Sequence, residues 1–226
     1  GTATGNMNIG IGYSALGGTW ANVVSEFNVA IGNYVLDAVM SGANYNVGIG
    51  YNALSSITTA DSNVAIGFQA GQLSTIGANN VFVGSNAGET NVEGEKNVAI
   101  GTLAFYNGQE DSGCVAVGYE ALNDADVDNS DSATYSYNTA VGYQCGDSIT
   151  TGKNNTGLGA SCAFDIDADN QTAIGYGATT DSANDIAIGN TSVDEVKGQV
   201  DFSTFSDKRI KKDIKDGDLG LDFIND

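Results

Sequence analysis

Three aspartates, Asp165, Asp167 and Asp169, alternate along "DIDADN" (165–170), and "DADVDNSD" (124–131) repeats the arrangement. Alternating carboxylates offer several oxygens within a short loop, which is what a hard cation such as calcium needs. Neither stretch carries the glycine and distal glutamate of a complete calcium loop. Solvated acidic turns and no cofactor are therefore the expectation, and calcium held by Asp165, Asp167 and Asp169 is the alternative.

Other chemistry is limited by composition. The chain has no histidine, which removes histidine acid–base catalysis and histidine metal ligation. Gly-x-Gly occurs at Gly10, Gly48 and Gly157, but no helix signal or cation follows to hold a phosphate, so a nucleotide loop is not expected. With 28 acidic against 8 basic residues the formal net charge is −20, which repels nucleic-acid phosphates and anionic membrane surfaces alike. No apolar run approaches the roughly 18 residues of a membrane span, so membrane insertion is not expected either. The chain opens at Gly1 without a methionine, as a fragment or a processed product does.

The element that must position every side chain is a repeat. "KNVAIGTLAF" (96–105) is echoed by "SNVAIGFQAG" (62–71), "FNVAIGNYVL" (27–36) and "YNTAVGYQCG" (137–146). The closing glycine recurs eleven times, at Gly12, Gly32, Gly50, Gly67, Gly84, Gly101, Gly118, Gly142, Gly159, Gly175 and Gly189. Five of the ten steps are 17 residues, and the widest, from Gly118 to Gly142, is 24. Such a period is one coil of a solenoid. Three residues and one residue before the glycine stand Val, Ile, Leu or Thr, strand formers at period two. Between them every copy has Gly or Ala except Phe82.

The expectation is an all-β, parallel β-roll or β-helix whose large aliphatics fill the coil. The Gly/Ala column then meets a second layer or a neighbouring chain. The glycine suits a sharp corner with positive φ or a close contact, and Tyr-x-Ala after it, as at Tyr51 and Tyr119, reads as a second short strand. Four residues before the glycine stands Asn8, Asn28, Asn46, Asn63, Asn80, Asn97, Asn138 and Asn155, expected to stack as a hydrogen-bonded ladder. The other copies carry Cys114, Gln171 and Asp185. Polar links such as "LSSITTADS" are surface turns, and "NDADVDNSDSATYSYN" (123–138) is an insertion that bulges outward.

Two columns carry further candidates. Tyr13, Tyr51, Phe68, Tyr119, Tyr143 and Tyr176 follow the glycine; they are expected to pack coil on coil or chain on chain, with glycan stacking as the alternative. Cys145 and Cys162 share a column in adjacent coils, which places their Cα atoms about 4.8 Å apart, within disulfide reach. In-register parallel neighbours seldom have the right geometry, so all three cysteines, Cys114 included, are expected to be reduced and packed.

The pattern N-V-A-I-G-x-x-A, from about Asn8 to Ser192, resembles the head repeats of YadA-type trimeric adhesins and related repeats in bacteriophage tail and head fibres. The resemblance implies a homotrimer. "TFSDKRIKKDI" (204–214) and "GLDFIND" (220–226) look like the opening of the intramolecular chaperone domain of phage tail-spike and fibre proteins. Matched to that domain, Ser206 is the nucleophile and Lys211 the base of an autocleavage between Phe205 and Ser206. A serine attacking the preceding amide needs such a base nearby. Cleavage is expected only with the complete domain, and the repeats are not expected to be an enzyme.

The resulting expectation is a solenoid over 1–198 and a chaperone opening over 199–226, in a structural phage fibre serving host attachment. Its partners would be two further copies, other virion proteins and a host surface receptor, a glycan among the candidates. Its place would be the virion, after assembly in the host cytoplasm. The alternatives are the head of a bacterial trimeric autotransporter adhesin and a self-cleaving serine peptidase fragment.

Overall fold

The computed structural model describes residues 7–19, 23–125 and 135–197. Ser206, Lys211 and all of 199–226 lie outside the described residues, as does most of the insertion. The unit Gly1–Ser192 holds eleven strands of three residues each, and no helix occurs among the described residues. They are β1 (Ile9–Ile11), β2 (Val29–Ile31), β3 (Val47–Ile49), β4 (Val64–Ile66), β5 (Val81–Val83), β6 (Val98–Ile100), β7 (Val115–Val117), β8 (Thr139–Val141), β9 (Thr156–Leu158), β10 (Thr172–Ile174) and β11 (Ile186–Ile188). They stack in chain order into one parallel sheet, one strand per coil. Register follows the repeat without slippage: Val47 pairs with Val64 and Ile49 with Ile66. The fold is the expected β-solenoid.

The corner glycine is required twice over. Gly50 has φ 138°, and a Cβ there would collide with the carbonyl of Gly67 one coil on. The same geometry recurs along the column, so a stack of glycines lets the backbones pass at ladder distance.

Beyond the corner the chain does not form the second strand that Tyr-x-Ala suggests. It curls through alternate left-handed residues, such as Asn52 (φ 57°) and Leu54 (φ 52°). The N–H of Asn52 donates to Asn33 O in the preceding coil at 3.1 Å, and that of Leu54 to Ala70 O in the following coil at 3.1 Å. Each curl is thus tied to both neighbours without extended backbone.

The two strand faces are the reverse of the expectation. The central residue of the strand points inward: Ala30, Ala65, Ala99, Ala116, Ala140 and Ala173 are wholly buried within the single chain. The flanking Val and Ile residues point outward and are half-buried or exposed. The coil is too narrow for two large side chains to meet across it. Leu36, Leu54 and Leu122 from the curl fill the space, and a methyl group is what remains for the strand.

Where one wall grows, the other shrinks. Phe82 stands in the alanine column because Gly71 and Gly88 replace the curl's large residue, and a Cβ on either would overlap the Phe82 ring. Phe164 likewise fills the space left at Gly146.

The asparagine ladder forms, and its geometry explains the residue choice. The Oδ1 accepts the backbone N–H at the same place in the next coil: Asn46 from Asn63 at 2.9 Å, Asn63 from Asn80 at 2.9 Å, Asn80 from Asn97 at 2.9 Å. Each Nδ2 donates to a carbonyl that closes its own coil, as Asn63 to Gly77 O at 3.0 Å and Asn80 to Gly94 O at 2.8 Å. An amide is the group that supplies donor and acceptor in this buried place. The ladder ends at Gln171, whose Oε1 accepts from Asp165 N–H in the preceding coil rather than from the next.

The cysteines correct a third expectation. Cys145 and Cys162 are joined as a disulfide, with Cα atoms 4.7 Å apart, one coil step. Both replace alanines of the curl, and the strand residue facing them is Gly157, which leaves room for the sulfurs. Cys114 is a buried free thiol.

Candidate assembly interface

Reversal of the strand faces leaves a large apolar surface outside. Ile66 is 40% exposed, Ile100 41% and Leu158 52%. Because the sheet is in register, the residues three before and one before each corner glycine form two unbroken columns along the shaft, and Ile66, Ile100 and Leu158 belong to the second. A third column, just after the glycine, contributes Tyr13, Tyr51, Phe68, Tyr119, Tyr143 and Tyr176, all exposed. Tyr51 stacks on Phe68 with centroids 5.6 Å apart and Tyr119 on Tyr143 at 5.2 Å, so these rings pack coil on coil. Tyr34 bridges the one-coil gap between Tyr13 and Tyr51, at 5.4 and 5.8 Å.

A fourth column escapes sequence reasoning. Five residues before the glycine, the backbone is left-handed in every coil, at Met7, Phe27, Tyr45, Ser62, Asn79, Lys96, Gly113, Tyr137, Asn154, Asn170 and Asn184. Phe27 stacks on Tyr45 at 5.1 Å, and both are exposed. The available signal was the asparagine enrichment there, since asparagine tolerates φ > 0.

Electrostatics set this strip apart. In a chain with 28 acidic residues, none of the eleven copies of these four columns holds an Asp or Glu. The single charge is Lys96, whose Nζ donates to Glu95 at 3.1 Å and Tyr135 Oη at 2.8 Å. Those hydrogen bonds, Tyr135 first, raise its pKa. Acid collects elsewhere, as at Asp147, where burial and then the charges of Asp124 and Glu120 push the carboxyl up.

The aspartates considered for calcium have other work. Asp165 Oδ1 accepts Asp167 N–H at 3.3 Å, Asp167 Oδ1 accepts Thr150 and Thr151 hydroxyls at 3.0 and 2.8 Å, and Asp169 Oδ1 accepts Lys153 N–H at 2.7 Å. Asp165 thus closes its own turn, while Asp167 and Asp169 tie theirs to the preceding coil. Among the described residues no three His, Cys, Asp or Glu side chains gather as metal ligands do.

Cys114 takes the ladder place of an asparagine. Its N–H donates to Asn97 Oδ1 at 2.9 Å, and its sulfur lies 3.0 Å from Ser136 Oγ. Burial, helped by the charge of Asp111, pushes the thiol up to about 12. A thiol so protonated is no nucleophile. No protein-family model, curated protein or solved structure matches this chain.

Proposed function

We propose that the chain is a shaft segment of a homotrimeric fibre, belonging to a bacteriophage tail or head fibre and serving host attachment. The observation that carries this reading is the outer strip, free of Asp and Glu and built largely of Val, Ile and aromatic side chains. Eleven strands give ten steps of about 4.8 Å, so the strip is about 48 Å long, and its four columns span seven residue positions, six steps of about 3.3 Å or about 20 Å in width. Its area, roughly 960 Å² per chain, compares with the ~800 Å² per partner of a standard stable interface.

A second copy of the chain is the partner that fits. Two bodies of net charge −20 repel each other, and they can touch only where neither presents acid. Three such strips turned to a common axis would hide the apolar columns and leave the acidic turns outside, which keeps a fibre soluble. The ends of the rod would join other virion proteins, and a host surface receptor, a glycan among the candidates, would meet the outer turns.

Small-angle X-ray scattering tests this reading. The expected particle has the mass of three chains, with the solenoid forming a rod about as long as the strip. A particle of one chain's mass and a single coil's cross-section would contradict it.

A second reading is the head of a bacterial trimeric surface adhesin. The disulfide between Cys145 and Cys162 favours it, since such bonds persist on cell surfaces rather than in reducing cytoplasm. Recovery of the three-chain particle from a bacterial outer surface rather than from virions would decide for it.

A further inference from the structure

The eighth and ninth coils are joined by more than ladder hydrogen bonds. Cys145 and Cys162 sit 17 residues apart and are no more than 1% exposed. Gly157 faces them, and a Cβ there would stand 2.5 Å from Cys145 Sγ and 2.9 Å from Cys162 Sγ. The same residue would also press on the Phe164 ring. The strand has thus lost a methyl group where the sulfurs need the volume. The staple follows the widest step of the repeat, from Gly118 to Gly142, and Cys114 replaces a ladder asparagine just before that step.

We propose that Cys145 and Cys162 are an oxidation site acting as a shielded latch: the bond is made while the seam between these coils is open and is protected once they stack. This inference is independent of the trimer. The oxidant is a low-molecular-weight disulfide such as oxidised glutathione. One cysteine thiolate attacks it, forming a mixed disulfide and releasing one glutathione thiolate. The second cysteine thiolate attacks the protein sulfur of that mixed disulfide, forming the Cys145–Cys162 bond and releasing the second glutathione. Two electrons pass from the cysteine pair to glutathione disulfide, and the two cysteine protons end on the two glutathione thiols.

Shielding follows from the same geometry. Exchange needs a thiolate to reach a sulfur, and in the stacked shaft both sulfurs are enclosed. A latch set in an oxidising medium is therefore held even when a reductant is later present.

The test uses the full chain, unfolded in reductant and then refolded in the presence of glutathione disulfide, so that the seam is open when the oxidant is offered. After alkylation, peptide mass mapping is expected to find Cys145 linked to Cys162, with Cys114 alkylated only after unfolding. Native reduction by a thiol reagent is expected roughly 100-fold more slowly than reduction in denaturant, because the sulfurs must wait for local opening. The Cys145→Ala/Cys162→Ala variant restores the column's usual alanine; its denaturation midpoint is expected to match the reduced parent and fall below the oxidised one. Free, glutathione-capped or Cys114-linked sulfurs would overturn the proposal. So would equal reduction rates with and without denaturant, or oxidised and reduced parents that unfold together.

Discussion

Asn80 Oδ1 accepts the backbone N–H of Asn97 at 2.9 Å, while Asn80 Nδ2 donates to Gly94 O at 2.8 Å. One buried side chain thereby serves the coil above it and closes its own. Asn80→Ala leaves a buried N–H and a buried C=O without partners, at about 1–3 kcal/mol each. A loss of about 2–6 kcal/mol is expected in chemical denaturation, and a loss under 1 kcal/mol would show that water or backbone shifts replace the ladder.

Ala99 and Ile100 are neighbours in sequence with opposite fates. Ala99 is wholly buried in the coil and Ile100 is 41% exposed. Ala99→Leu is expected to cost about 1–3 kcal/mol or more by overpacking. Ile100→Thr should leave the circular dichroism spectrum of the coil intact while weakening self-association. Equal destabilisation by both would mean the faces are not as assigned.

Cys114 gives a pH signature. Its thiol is pushed from the ordinary 9.0 up to about 12 in the folded chain, so above pH 9 the unfolded state releases a proton that the folded state retains. Stability is unaffected below that pH and falls through the window up to about 12, by at most about 1.4 kcal/mol per pH unit. The difference between the parent and Cys114→Ser, measured by urea denaturation from pH 8 to 10.5, should show this slope. Parallel profiles would remove the thiol as the cause.

The strand positions, their register and the asparagine ladder were legible because each rests on a fixed spacing. The eleven corner glycines place Val47 beside Val64 and Asn63 beside Asn80 without further information. The facing of the strand was not legible. Alternation separates Ala99 from Ile100 but does not say which is inside, and large-inside fails in a coil whose opposite wall already supplies Leu54 and Leu122. Phe82 was the clue, since an aromatic ring fits an alanine column only where Gly71 and Gly88 vacate the interior. The disulfide was within reach by distance, and Gly157 opposite was the signal that the sulfurs needed room. The exposed strip followed only once the facing was known.

The outer strip as the contact between copies of the chain is tested most directly by sedimentation equilibrium on the parent and on Ile66→Glu/Ile100→Glu. Both substituted positions are exposed, so the coil itself should tolerate carboxylates there. Three facing strips would bring six carboxylates together where each strip's one cation, Lys96, is already paired with Glu95. The parent is predicted at three times the 23.1 kDa chain mass, and the variant at one chain mass with an unchanged circular dichroism spectrum. A parent that sediments as a single 23.1 kDa chain, or a variant that stays trimeric, would contradict the account.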